Sequence, residues 1–333
     1  MEAVVLVGGF GTRLRPLTAD TPKQMLPVVD RPMIEHVVAH LAAHGVTRVV
    51  LSLGFRPEAF TVAYPDGTCA GMPLHCAVEP EPLGTAGAVR FAALEAGIEK
   101  AFLVLNGDVL TDLDVTGMVA RHRGAGALGT IALTEVDDPS RYGVVPFDEE
   151  RRVLEFVEKP SIDEAPSRWI NAGTYVLEPT VLDRIAPGHR MSIEREVFPT
   201  LAAEGALHAE PSDGYWLDTG TPEAYLRANL DLVDGTRADL TAVHEAAIVD
   251  VGARVHGSVV MAGSSIGSGT EVCDAVVMDG ATIGHGSTVR ASVVGPGATI
   301  GEGASVLGGC LVGPGATVAS GTILDGGRFP EED

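Results

Sequence analysis

The chain has 333 residues, 45% of them apolar, enough for two domains whose cores need no disulfide framework. A formal net charge of −22 excludes a nucleic-acid binder, because such a surface must neutralise phosphates with a basic face, while a triphosphate held by a few placed cations stays open. Cys69, Cys76, Cys273 and Cys310 form no CxxC pair and no Cys/His metal spacing, no charged leader precedes the first strand, and no apolar run reaches the ~20 residues that span a bilayer; a cytoplasmic protein with reduced thiols and no membrane partner is expected.

In chain order, Ala3 to Val7 is a β-branched run bounded by glycine. From Met33 to His44 the apolar residues Ile34, Val37, Val38 and Leu41 keep a helical spacing. Arg48 to Leu53 predicts a second buried strand, Gly84 to Ala96 a helix, and Ala101 to Leu105 a third strand ending in Asn106-Gly107-Asp108. A last helix is predicted over Pro222 to Leu232. Strands alternating with helices predict a Rossmann-like α/β domain with a mixed, mostly parallel sheet over residues 1–235. Ligands of such sheets sit at the carboxyl ends of strands, so the loops after Val7 and Leu105 are the first candidates for chemistry.

After a polar break near Asp231 to Asp239 the helical period disappears. Over residues 241–327 small apolar residues recur about every six positions. The runs are Val260, Ile266, Val272, Met278; then Val277, Ile283, Val289; then Val294, Ile300, Val306, Val312, Val318, Leu324, with a slip of one between runs. Ile-Gly-x-Gly or Val-Gly-x-Gly begins at Ile266, Ile283, Val294, Ile300 and Val312, supplying glycines for tight corners. This pattern predicts a parallel β-helix of hexapeptide repeats, in which each coil buries its apolar row on its neighbours. A flexible glycine-rich tail has no reason to keep such a period.

The stretch Gly8-Gly9-Phe10-Gly11-Thr12-Arg13-Leu14-Arg15-Pro16-Leu17-Thr18 leaves the first strand and is followed by Pro22-Lys23. Its glycines let main-chain N–H groups approach phosphate oxygens. Arg13 and Arg15 add cationic forks and Lys23 a point charge. The spacing fits neither a Walker A sequence nor the dinucleotide fingerprint.

Together with Glu79-Pro80-Glu81-Pro82-Leu83-Gly84-Thr85-Ala86-Gly87, Leu105-Asn106-Gly107-Asp108, Tyr142-Gly143-Val144-Val145, Phe156-Val157-Glu158-Lys159-Pro160, Asn171-Ala172-Gly173 and Trp216-Leu217-Asp218-Thr219-Gly220, this stretch resembles the sugar-phosphate nucleotidyltransferase family. The hexapeptide tail is similar to that of the family's long members, which implies a left-handed β-helix. The resemblance implies a nucleotide site of Leu6, Gly8, Gly9, Gly11, Thr12, Arg13 and Lys23, with Glu79, Pro82, Gly84 and Thr85 along base and ribose. Arg13 and Lys23 would act on the phosphates, and Asp108 and Asp218 would hold Mg²⁺. Gly143, Glu158, Asn171 and Gly173 would line the sugar, and Lys159 would grip its phosphate. Taken alone, Asp108 could be a turn former, Lys159 a solvated lysine, Asn171 a cap and Glu158 a partner of Arg152.

The physical logic is compatible with this. A sugar-1-phosphate oxygen is already an anionic nucleophile, so attack on an α-phosphate needs positioning and charge neutralisation more than a general base. Glu79-Pro80-Glu81-Pro82-Leu83-Gly84-Thr85-Ala86-Gly87 resembles members that use GTP with mannose-1-phosphate, and a carboxylate at Glu79 suits the N1–H and amine of guanine. Glucose-1-phosphate or a cyclitol phosphate with GTP, ATP, UTP or dTTP is the nearest alternative. Two other classes are a non-catalytic nucleotide-sugar-binding homologue and a β-helix acyltransferase, for which His256 and His285 are the candidate bases. The open ends of a β-helix also predict a homo-oligomer, a dimer or tetramer.

Overall fold

The computed structural model describes residues 1–238 and 240–331, so position 239 at the end of the expected domain break lies outside the described residues. The chain forms two compact units, and their boundary cuts the signature stretch. The first comprises Met1–Gly9 and Ile34–Trp216, the second Phe10–Met33 and Leu217–Asp333.

The first unit is a twisted sheet with helices. Its strands are β1 (Glu2–Val7), β2 (Arg48–Leu53), β3 (Met72–Val78), β4 (Phe102–Asn106), β5 (Gly129–Glu135), β6 (Gly143–Val144), β7 (Val157–Glu158), β8 (Trp169–Leu177) and β9 (Leu207–Pro211). The main order is β3-β2-β1-β4-β8-β5-β9. The first four of these run parallel, β8 is antiparallel to both its neighbours, and β6 and β7 branch as an antiparallel pair from the start of β8. The β-branched run at β1 is central and buried from Ala3 to Val5, as expected of a parallel strand covered on both faces.

Helix α1 (Met33–Ala43) buries the expected stripe of Ile34, Val37, Val38 and Leu41. Helix α2 (Gly84–Glu95) buries small residues, Ala86, Gly87, Ala88, Ala92 and Ala93, so its axis lies close to neighbouring chain. A side chain at Gly87 would meet His189 O at 3.1 Å, and one at Gly84, already at φ +71°, would meet Met191 O at 2.5 Å.

The second unit carries three parallel five-stranded sheets of two- and three-residue strands, the left-handed parallel β-helix of hexapeptide repeats. Ile266, Ile283, Ile300 and Val318 stack in one wall, Val272, Val289 and Val306 in the next, and Val260, Val277, Val294 and Val312 in the third. The slip read in the sequence has a physical cause here. Ile266, Ile283 and Ile300 are 17 residues apart from coil to coil, but Ile300 to Val318 is 18. Early coils therefore have one side a residue short. Val277, not Met278, occupies the stack above Val260, which corrects the first run. The two glycines of each repeat also differ in role. A Cβ on Gly267 would lie 2.9 Å from the main chain of the next coil at His285, whereas Gly269 has φ +70° and supplies the corner.

The second unit also contains Phe10–Met33, tied down by α3 (Pro222–Asp231). Val29 N–H donates to Asn229 Oδ1 at 2.8 Å, and the buried Tyr225 hydroxyl donates to Pro27 O. No helix among the described residues is long and apolar enough to cross a membrane.

Candidate active site

In the first unit the sheet register brings most of the expected residues to one edge. Gly107 N–H donates to Leu6 O at 2.9 Å, so Asp108 leaves β4 beside the point where Gly8 leaves β1. Glu79 N–H donates to Leu53 O, which puts the start of the Glu79–Gly84 segment at the same carboxyl edge. Antiparallel β8 reaches that edge with its first half, where its register against β5 shifts between Asn171 and Tyr175. Such a bulge re-aims side chains.

Around Gly8 and Gly9, the latter at φ +102°, a Cβ would meet nothing within 4 Å. That open room over main-chain amides is what a phosphate needs to approach them. Glu79 is held at both oxygens: Ser52 Oγ donates to Oε1 at 3.1 Å and Leu83 N–H to Oε2 at 3.0 Å. Pro82 is exposed. The Thr85 hydroxyl donates to Glu194 Oε2 at 2.7 Å and accepts from Ile193 N–H at 2.9 Å, while Ser192 Oγ donates to the same Glu194 oxygen. Ala86 N–H, in the first turn of α2, donates to Met191 O, so that amide is spent on the chain itself. Glu194 lies on a single π-helical turn, Ile193–Val197, and nothing local in the sequence signals its tie to Thr85, 109 residues away. The pattern Thr-x₁₀₈-Glu has no reading until the fold closes it.

On the other side, Gly143 pairs with Glu158 across β6 and β7. A side chain at Gly143 would collide with the Phe156 ring and lie 3.2 Å from Glu158 Oε2. Glu158 pairs with Lys159 Nζ at 3.3 Å and not, as one bland reading has it, with Arg152. Lys159 has φ +52°, a left-handed backbone uncommon for a residue with a side chain, and its N–H donates to Tyr142 O. Strain of this kind persists where surroundings over-determine it, often at functional sites. Asn171 Oδ1 accepts from Gly173 N–H at 2.8 Å and its Nδ2 donates to the Tyr175 hydroxyl at 2.8 Å, so Asn171 does act as a cap, closing the turn at Gly173. Gly173, at φ +75°, leaves no room for a side chain beside Asn106. Burial pushes the Tyr175 phenol well up, assisted by the charges of Glu194 and Glu158.

The second unit holds the remaining expected residues. Gly11, at φ +60°, packs against Thr18 and Lys23, and Thr18 Oγ1 donates to Gly11 O at 2.7 Å. Arg13 lies on a 3₁₀ turn, Thr12–Leu14, with its guanidinium against the Gly220 main chain, where a Cβ would stand 2.6 Å from Nη2. Asp218 Oδ1 accepts from Gly220 N–H at 2.9 Å, which fixes the carboxylate at the end of the strand Trp216–Asp218. Lys23 begins a second short turn, Lys23–Met25.

Among the described residues no group of three or more His, Cys, Asp or Glu side chains is arranged as a metal cluster. Asp108 and Asp218 are hard oxygen donors at strand ends. Asp108 belongs to the first unit and Asp218 to the second, and each carboxylate is the hard oxygen type that Mg²⁺ takes. His256 and His285, the acyltransferase candidates, are both exposed. Burial pushes the thiols of Cys69 and Cys310 up to about 12 and about 11, and Cys76 is raised by burial too, so none of these is a neutral-pH nucleophile.

Residues 2–235 match the family described as nucleotidyl transferase, and 238–329 match the GMPPB C-terminal domain. The chain belongs to the nucleotidyl transferase family. Among members of this family, mannose-1-phosphate guanylyltransferase of Mycobacterium tuberculosis is 41% identical over 278 residues, covering 80% of this chain and 77% of that one. Mannose-1-phosphate guanyltransferase of Schizosaccharomyces pombe is 45% identical over 230 residues, 68% of this chain and 62% of that one. Of solved structures, HddC from Yersinia pseudotuberculosis complexed with GMP-PN superposes with a TM-score of 0.59 at 30% identity, covering 68% of this chain and 97% of that one. A putative glucose-1-phosphate thymidylyltransferase from Bacillus anthracis gives 0.63 at 26%, covering 72% and 96%. The β-helix acyltransferase alternative is displaced by the tail's match to the GMPPB C-terminal domain.

Proposed function

We propose that the protein joins GTP to mannose-1-phosphate, releasing pyrophosphate and GDP-mannose. The observation that carries this is the shared sheet edge in the first unit, where Gly8, Asp108, the Glu79–Gly84 segment and the Glu158–Lys159 pair come together. The names of the relatives supply the substrate class, and the fixed Glu79 carboxylate supports guanine. Each of its oxygens keeps a lone pair for the base after accepting from Ser52 and Leu83.

In this reading a phosphate oxygen of the sugar-1-phosphate attacks the α-phosphorus, and the bond to the bridging oxygen of pyrophosphate breaks. Main-chain amides from Gly8 to Thr12 face the triphosphate, Arg13 and Lys23 neutralise the charge that builds on it, and Lys159 holds the incoming phosphate against electrostatic repulsion. Glu158, Asn171 and the main chain of Gly143 orient the sugar hydroxyls. Asp108 and Asp218 would hold Mg²⁺, which when bound would supply positive charge to the phosphates. The β-helix joins copies of the chain into a dimer or tetramer, which the exposed Ile248 and Val251 on its first coil support.

A matrix of four triphosphates against mannose-, glucose- and other sugar-1-phosphates, read by pyrophosphate release, tests the proposal. GTP with mannose-1-phosphate is expected to give the highest kcat/KM. A strong preference for UTP or dTTP overturns the base, preference for another phosphate overturns the sugar, and no release from any pair points to a nucleotide-sugar-binding homologue without turnover. The thymidylyltransferase neighbour is what keeps glucose-1-phosphate as the second reading.

A further inference from the structure

The signature stretch is one run of sequence but does not belong to one body. Gly8 and Gly9 go with the sheet, while Phe10–Met33, which carries Arg13 and Lys23, goes with the β-helix. Two contacts show what holds it there. Arg328 Nη2 donates to the main-chain oxygen of Arg13 at 2.9 Å. A Cβ on Gly313 would lie 2.8 Å from Cγ and 3.1 Å from Cβ of Pro16, so the proline ring is seated on that glycine.

Both contacts come from adjacent rungs of one wall of the β-helix. Arg328 opens the strand Arg328–Phe329, which pairs in parallel with Leu311–Val312, and Gly313 follows directly. The wall is rigid for the reason the whole solenoid is: each rung is hydrogen-bonded to the one below, and Gly313 N–H itself donates to Phe329 O at 2.7 Å. Arg13 is therefore fixed on two sides, its carbonyl by Arg328 and its guanidinium against Gly220. Further along, Asn229 and Tyr225 hold residues 27 and 29.

We propose that the last two rungs of the β-helix, through Arg328 and Gly313, position Arg13 for phosphoryl chemistry, which makes the hexapeptide domain part of the catalytic apparatus and not only an assembly module. This rests on the nucleotidyl-transfer reading given above. Arg328 and Gly313 are positioning residues and touch no substrate. The physical warrant is that a transfer driven by positioned charge is sensitive to small displacements: an error of about 1 Å at a stabilising group costs on the order of 100-fold in rate.

The test uses the full chain with Arg328→Ala, Arg328→Lys and Gly313→Ala, and Ser305→Ala, on another wall of the β-helix, as control. Arg328 lines an open groove of about 460 Å³ with Pro222, Glu223 and Leu311, so its truncation empties no packed core. Gly313→Ala instead pushes on Pro16 from behind. For each variant kcat, both KM values, Tm and the equilibrium Kd for GTP are measured. Arg328→Ala and Gly313→Ala are expected to lower kcat about 10- to 100-fold and leave the KM for the sugar phosphate within about twofold, with Arg328→Ala keeping the control's Tm and Arg328→Lys recovering part of the loss. Unchanged kcat in both variants overturns the proposal, as does a loss that merely follows Tm or is matched by Ser305→Ala. If the unaltered protein releases no pyrophosphate with any pair, the underlying reading fails, and the GTP Kd then decides: weakening in both variants supports the positioning role and an unchanged Kd overturns it.

Discussion

Glu79 is anchored by its own chain before any base arrives, by Ser52 at one oxygen and Leu83 N–H at the other. A group anchored this way reads a ligand without first losing side-chain freedom. Glu79→Gln keeps the shape and removes the charge, and is expected to raise the KM for GTP about 10- to 100-fold, since a hydrogen bond to a charged group contributes roughly 1.5–3 kcal/mol. Ser52→Ala frees one oxygen only and is expected to cost less; a GTP KM unchanged in Glu79→Gln removes Glu79 from base reading. Lys159 permits a cleaner separation of function from stability. Its backbone stands at φ +52°, where a Cβ costs roughly 1–2 kcal/mol. Lys159→Gly removes that cost along with the ammonium. The KM for the sugar phosphate should rise at least tenfold while Tm holds or increases, and a fall in Tm with unchanged KM would assign the lysine a structural role instead.

At the scale of elements, what the sequence disclosed follows the range of the interactions involved. Strand β2 was readable to its ends because burial on both faces makes a continuous apolar run, and the stripe of α1 because one face only is covered. The β-helix was readable because its period is local, and even the slip in that period maps onto coils of 17 and 18 residues. The ties that set the site were not readable. Thr85 with Glu194, Asn171 with its bulge and Arg328 with Arg13 depend on partners that only the closed fold brings together. The short side of the early coils has an energetic consequence of its own. Its corner falls at Gly257, Asp274 and Ala291, all at positive φ, and the fourth coil relieves it with Gly308-Gly309. Alanine is strained at such a corner and glycine is not, although glycine has more entropy to lose on folding. Ala291→Gly is therefore expected to stabilise by about 0.5–1 kcal/mol. Gly267→Ala, whose methyl would enter the next coil, is expected to destabilise by at least ~2 kcal/mol. Thermal denaturation of the two variants checks both signs, and a destabilised Ala291→Gly would refute the strain account.

For the whole molecule, the charge of −22 and the buried histidine pull acid stability in opposite directions. Adding protons lowers the net charge and so relieves self-repulsion. His122 behaves otherwise. It is 1% exposed, with Thr130 Oγ1 at 2.8 Å from Nδ1 and Glu178 Oε1 at 3.3 Å from Nε2. Burial lowers its pKa below the ordinary value near 6.5, more than Glu178 raises it, with Arg123 and His208 adding to the lowering. The unfolded chain therefore takes up this proton before the folded one does. The stability His122 contributes is complete above about pH 6.5 and is lost as pH falls through its folded pKa, at no more than about 1.4 kcal/mol per pH unit. Most carboxylates stay ionised down to about pH 5, so the window between is where His122 can be isolated. The comparison is between the unaltered protein and His122→Gln, each by calorimetry at pH 7.5 and 5.5. Whatever their Tm values at pH 7.5, the unaltered protein is expected to lose more, or gain less, on acidification than the variant. Equal changes would mean that folding leaves the His122 pKa unshifted, and a larger gain in the unaltered protein would mean that His122 is protonated in the folded state and paired with Glu178.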